Sequence, residues 1–182
     1  MNRVFSITKS IVVPDGTIVY PFLNSKDCTS NLPWGLVNDV SLAVGDILPN
    51  THSKIHVHPV VTLITWVVFG TLQIKMKDLT EHEPYTVTLA PEQVALTKPG
   101  TFLQHINTTS SPCRALYIVS PAYVFLMKED GTVEYDDAIA LDLEWDKLAV
   151  QKWQVPHFTD IDGIRATRER ASAQIKMMKE SV

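Results

Sequence analysis

The sequence predicts an all-β chain with a helical tail. Short runs rich in Val, Ile, Thr, Tyr and Phe recur through the first two thirds of the chain. They are separated by turn chemistries: Pro14-Asp15-Gly16, Phe69-Gly70-Thr71 and Glu129-Asp130-Gly131-Thr132. A single segment near the C-terminus carries a helical period instead. Evenly spaced short strands of this kind argue for an antiparallel sandwich or barrel.

Taken in order, the strand-forming stretches are "SIVVPDGTIVY" (10–20), "GLVNDVSLAV" (35–44), "VTLITWVVF" (61–69) and "TLQIKMK" (71–77). "YTVTLA" (85–90), "QVALTKP" (93–99), "RALYIV" (114–119) and "AYVFLMKEDGTVEY" (122–135) follow. Residues 137–150 fit two descriptions, because Ile139, Leu141, Leu143 and Trp145 alternate as in a strand while the composition suits a helix. The tail, "FTDIDGIRATRERASAQIKMMKES", begins with Thr159 three residues before Asp162, close to a capping box. It then sets Ile164, Arg168, Ala171, Ile175 and Met178 on one face of a helix. Asp160 and Asp162 at its start and Lys176 and Lys179 at its end suit the helix dipole. The expected organisation is a barrel domain over 1–155 and a helical tail over 156–182, its apolar stripe covering the barrel or a partner subunit.

Bulk properties exclude several function classes. The chain has 182 residues, enough for one domain with a real core, and is 45% hydrophobic and 20% charged with a formal charge of -4. No cluster of Lys or Arg is large enough to track phosphates, so nucleic acid is not an expected partner. The start, "MNRVFSITKS", lacks the apolar core of a secretory signal, and the longest apolar run, 60–69, is about half a membrane span. A cytoplasmic protein with no membrane association is expected. Cys28 and Cys113 form no CxxC and fit free thiols in a reducing compartment.

Chemistry is concentrated in the histidines. In "KIHVHPVVTLITWVVFG" (54–70), His56 and His58 stand one residue apart at the mouth of an apolar run, so on a strand they share a face. Taken alone, such a pair is more often a set of core or rim histidines bonded to nearby carbonyls than a metal site. A second stretch, "LTKPGTFLQHINTT" (96–109), has a Pro-Gly turn entering a strand with Leu103, His105 and Asn107 on one face. His52 has the parity of the pair and reads as a solvated loop residue or a substitute or supporting ligand. Leu63, Thr65, Val67, Leu103 and Asn107 are expected to line the interior, with Asn107 able to orient a ligand carbonyl. Met76, Trp34, Trp66 and Trp145 read as core, and His82 and His157 as surface residues.

Over 32–145 these motifs resemble the cupin superfamily, small β-barrels in which a His-x-His strand and a later Pro-Gly-strand-His element gather a metal. Gly45, His56, His58 and Gly70 stand in the order of the family's first motif, and Leu63 occupies the place of its usual Glu. The second motif's His would fall at Leu103, two residues or about 6.6 Å before His105, so a bulge between Gly100 and His105 is needed to bring that ring into place.

"HVHPVV" and "SPAYVFLMKEDGTVEYDDA" are similar to stretches of the group around acetylacetone-cleaving and 2,4'-dihydroxyacetophenone dioxygenases. The resemblance implies a cupin double-stranded β-helix with a C-terminal α-helix. It also implies Fe(II) held by His56, His58 and His105, with no catalytic residue beyond these ligands. Three neutral imidazoles would leave the ion its full charge to attract an anionic substrate. The implied activity is O₂-dependent cleavage of a carbon–carbon bond next to a carbonyl in a small ketone, diketone or phenol. The alternatives are a zinc-dependent or metal-free cyclase, decarboxylase or isomerase, or a non-catalytic binding protein. A homodimer is expected, because an apolar helix stripe and an exposed barrel edge are most simply buried against a second copy.

Overall fold

The computed structural model describes residues 7, 10–23, 40–78, 83–122, 126–127, 133–135 and 138–148, with 166, 170, 173 and 177 in the tail. The strands are β1 (Ile11–Val12), β2 (Ile18–Leu23), β3 (Ser41–Ile47), β4 (Thr51–His52), β5 (Ile55–Val57), β6 (Thr62–Phe69) and β7 (Leu72–Lys77). They continue as β8 (Tyr85–Leu89), β9 (Val94–Thr97), β10 (Phe102–Asn107), β11 (Cys113–Ser120), β12 (Leu126–Met127), β13 (Val133–Tyr135) and β14 (Ile139–Leu141). A 3-10 turn spans Trp145–Lys147. Residues 137–150 are thus a short strand followed by a turn where they are described.

Two antiparallel sheets make the molecule. One has the order β1-β2-β3-β11-β6-β9, the other β14-β5-β10-β7-β8 with β4 also on β10, and β12 and β13 form a separate pair. Alternation along β6 shows how the core arises: Leu63, Thr65 and Val67 are buried, while Trp66 and Val68 on the opposite face are exposed. Between the sheets, Leu63, Val67, Ala115 and Val119 pack with Leu72, Ile74, Met76 and Leu103. A second cluster of Ile55, Val57, Phe102, Leu141 and Leu148 lies apart from this core. It includes β14 and the segment after it, with Ile139, Leu143 and Trp145 packed against it. That second layer explains why every residue of β5 is buried: His56 faces one way, and Ile55 and Val57 the other.

Turn chemistry behaves as the sequence suggests at Gly16 and Gly70, which have φ of 91° and 82°. Trp66 departs from its expected core position. It is 40% exposed because strand parity puts it on the outer face, and the continuous apolar run had hidden that parity. Met76 is buried, and Trp145 is partly buried, with its Nε1 donating to Gln104 Oε1 at 2.7 Å. Trp34, His82 and His157 lie outside the described residues, as do the boundary at 155–156 and most of the expected tail helix. Ala166, Arg170, Ala173 and Met177 have helical backbone. Among the described residues, no helix is long and apolar enough to cross a membrane.

Candidate functional site

The site is assembled from three places in the chain: the β1–β2 turn, the β4–β5 segment and β10. The turn is closed by Gly16 N–H donating to Val13 O and Val13 N–H to Thr17 O, at 2.8 and 3.0 Å. Asp15 Oδ1 accepts from Thr17 N–H at 2.8 Å, the local bond that suits Asp to a turn. Its backbone carbonyl accepts from Lys54 N–H at 2.7 Å, which ties the hairpin to the histidine strand. The remaining carboxylate oxygen, Oδ2, stands 3.2 Å from His56 Nδ1. His56 Nδ1 is also 3.0 Å from Lys54 O, so it carries the proton it donates to that carbonyl, and Nε2 is the unprotonated nitrogen.

His105 reaches His56 by a bulge on the facing strand. β10 runs in regular register with β7 from Phe102 to Ile106, so the irregularity expected between Gly100 and His105 is absent over that stretch. The extra residue is opposite: Leu103 pairs with His56 and Ile106 with His52, so Ser53, Lys54 and Ile55 span the distance of Gln104 and His105. Ser53 pins this bulge, its N–H donating to His105 O at 2.9 Å and its Oγ accepting from His105 N–H at 3.0 Å.

The same extra residue overturns the parity assigned to His52. Opposite Ile106 it lies on the face away from His105 and is exposed, bonded to Gln104 rather than placed to replace a ligand.

The ring centroids of His56 and His58 are 5.1 Å apart, and those of His56 and His105 5.7 Å. Donor atoms of Asp15, His56 and His105 all lie within 4.8 Å of one another, and all three residues are buried. His58 is also buried and lines the same cavity beside His56, outside that tighter set. Sequence reading missed Asp15, whose Pro-Asp-Gly setting was fully accounted for as a turn. Its position in a hairpin that faces the histidine strand was the only signal, and that needs the tertiary fold.

Among the described residues neither ring nitrogen of His105 has a partner, although the residue is only 4% exposed. Burial first, and the nearby His56 second, push its pKa down to about 3 against a smaller opposing pull from Asp15. A neutral imidazole with two unpartnered nitrogens beside a carboxylate and a second imidazole is a fitting donor set for a divalent transition metal. The residues present therefore fit an ion held by Asp15, His56 and His105. The carboxylate absent at Leu63 is supplied to the cavity by Asp15.

The cavity measures about 50 Å³, and Val13, Val19, Ala43, Leu63 and Ala138 form its apolar wall. Of the residues expected to line it, Leu63 does so. Thr65, Val67 and Leu103 are fully buried without bordering it. Asn107 is buried too, but its amide donates to Ile47 O and Ser111 O while its oxygen accepts from Thr109, so it braces a turn. Tyr117, unremarked in the sequence, borders the cavity with its ring 5.3 Å from that of His105. Burial raises its pKa.

No family model and no curated protein sequence matches the chain. Solved structures do. The oxalate decarboxylase of Lactobacillus farciminis, in a formate complex, superposes with a TM-score of 0.53 at 16% identity, covering 73% of this chain and 33% of its own. The fold is the cupin double-stranded β-helix. The plu4264 protein of Photorhabdus luminescens matches with a TM-score of 0.50 at 16% identity, over 65% of this chain and 88% of its own. A conserved double-stranded β-helix protein of Klebsiella pneumoniae matches at 0.47 with 20% identity, over 67% and 92%. At these identities the cupin likeness concerns fold alone, and this chain spans only a third of the decarboxylase.

Proposed function

We propose that the protein is a mononuclear non-haem iron enzyme that uses O₂ to cleave a carbon–carbon bond next to a carbonyl in a small ketone, diketone or phenol. The observation that carries the reading is the meeting of one carboxylate and two imidazoles, Asp15, His56 and His105, within 4.8 Å in a buried cavity. Two histidines and one carboxylate with open positions beside them are the donor set of iron oxygenases. Bound there, iron supplies a Lewis acid and a path for electrons to O₂. Lys54 O fixes the His56 tautomer, the Ser53 bulge aims His105, and Val13, Val19, Ala43 and Leu63 present an apolar wall beside the donor set.

The test is metal analysis of aerobically purified, untagged protein beside Asp15→Asn and His105→Ala, with oxygen uptake on pentane-2,4-dione. Near-stoichiometric iron in the native protein, lost in both variants, and uptake that follows it support the reading. Protein without iron that consumes no oxygen after loading with Fe(II) refutes it.

One feature favours a second reading, the 3.2 Å approach of Asp15 Oδ2 to His56 Nδ1. As a carboxylate–imidazole pair, these residues would move a proton in a zinc-dependent or metal-free isomerase, cyclase or decarboxylase. Zinc or no metal, with turnover that survives anaerobic conditions, identifies that case.

A further inference from the structure

The ring of Tyr117 packs in the barrel core, but neither that core nor the metal site accounts for its hydroxyl. It sits on β11 between Ala43 of β3 and Thr65 of β6, on the face that looks into the barrel. Although it is only 6% exposed, its hydroxyl has no hydrogen-bond partner among the described residues. A buried hydroxyl without a partner is costly unless something else satisfies it.

The fold keeps room for this ring. Any Cβ at Gly45 would run into the Tyr117 ring, so glycine at that position lets the ring lie against β3. The ring also stands 5.3 Å from that of His105, which places the phenol beside the candidate metal ligands. Thr65 Oγ1 is likewise buried without a partner, but Thr65 does not border the cavity and Tyr117 does. Among the described residues the cavity wall has no Lys or Arg, and its one acidic member there, Asp15, is itself in the donor set.

We propose that the Tyr117 hydroxyl is the hydrogen-bond donor to an oxygen of the substrate, and that the substrate is a small uncharged carbonyl or hydroxyl compound rather than a carboxylate anion. The inference rests on reading the cavity as the reaction chamber. A neutral phenol offers one donor to one carbonyl oxygen. A carboxylate would enter a mostly apolar chamber with no Lys or Arg among the described residues of its wall, against the negative charge of Asp15. An ion held by Asp15 as well as histidines keeps less of its charge than one held by imidazoles alone. The pull on an anionic substrate is therefore weaker than a three-histidine site would exert.

The experiment compares wild type with Tyr117→Phe, each metal-free and zinc-loaded, using pentane-2,4-dione as the neutral probe and oxalate as the anionic one. Calorimetric titration is expected to show the diketone binding wild type more tightly than oxalate does. Tyr117→Phe should weaken the diketone by about five-fold, the worth of one neutral hydrogen bond, with zinc affinity unchanged. Its melting temperature should equal or exceed that of wild type, because the group removed has no partner among the described residues.

Equal diketone affinity in the variant, tighter binding of oxalate, binding of neither probe, or a marked fall in melting temperature would each overturn the proposal. The metal-free arm separates the two readings. A protein that takes up no metal but loses diketone affinity in Tyr117→Phe refutes the iron reading and upholds this one.

Discussion

His105 is the residue at which burial and chemistry conflict most directly. Among the described residues neither nitrogen has a partner, and burial holds the ring neutral with a pKa of about 3, against 6.5 for an ordinary histidine. Where the pH lies between those values the unfolded chain binds a proton that the folded chain refuses, so folding stability rises with pH over this window. The metal-free protein is expected to lose stability as pH falls below 6.5, approaching about 1.4 kcal/mol per pH unit for this one group. Urea unfolding of chelator-treated wild type and His105→Leu at several pH values measures it. A His105→Leu profile as steep as that of wild type assigns the dependence elsewhere. Cys113 gives a simpler expectation: its thiol is buried and pushed up to about 11, first by desolvation and then by Asp46. It should stay unmodified by a thiol reagent in the native protein and react on unfolding, as mass spectrometry would show. At this scale the sequence exposed the histidines, because His-x-His before an apolar strand is conspicuous. It concealed Asp15, whose turn chemistry is satisfied by one carboxylate oxygen while the other faces a strand some forty residues away.

Elements tell a related story. The strands were legible from β-branched runs and turn residues, yet the detail that makes the site, one extra residue among Ser53, Lys54 and Ile55, left no mark in the pattern. A bulge is defined by what lies across the ladder, so the sequence could demand one without saying which strand holds it. Its dependence on Ser53 is testable. Ser53→Ala removes the acceptor for His105 N–H and should cost about 1–3 kcal/mol. Metal affinity should fall with it if the bulge aims the ring, and unchanged affinity would show that the backbone alone suffices. The β6–β7 turn supplies a stricter case. Gly70 has φ of 82°, and a Cβ there would lie 2.7 Å from Pro112 O and 2.8 Å from Cys113 Cα, both backbone atoms that cannot swing away. Gly70→Ala should therefore destabilise by about 1–3 kcal/mol or more, through strain and collision together. A melting temperature within a degree of wild type would contradict that.

Among the described residues, one sheet face is unusually apolar at the scale of the whole molecule. Across the β9-β6-β11-β3 sheet, register aligns Leu96, Ile64, Ile118 and Leu42 in one row and Val94, Trp66, Leu116 and Val44 in the next. Trp66 is 40% exposed, Val94 59% and Leu96 56%, and β9 is the edge strand. Scattered surface apolar residues are ordinary, but two adjoining rows of four are a contiguous patch of the kind that marks an interface. The same patch explains the misplacement of Trp66: a strand apolar on both faces reads as core, whether its outer face meets its own chain or another. We propose this face as the surface of the expected homodimer, with a twofold axis bringing it against its copy. Light scattering at micromolar concentration should give twice the chain mass. Trp66→Asp combined with Leu96→Asp should give the single mass with an unchanged far-ultraviolet spectrum, because both side chains point out of the barrel. A wild type that runs as a monomer refutes the dimer. A double variant that remains dimeric moves the interface to another face.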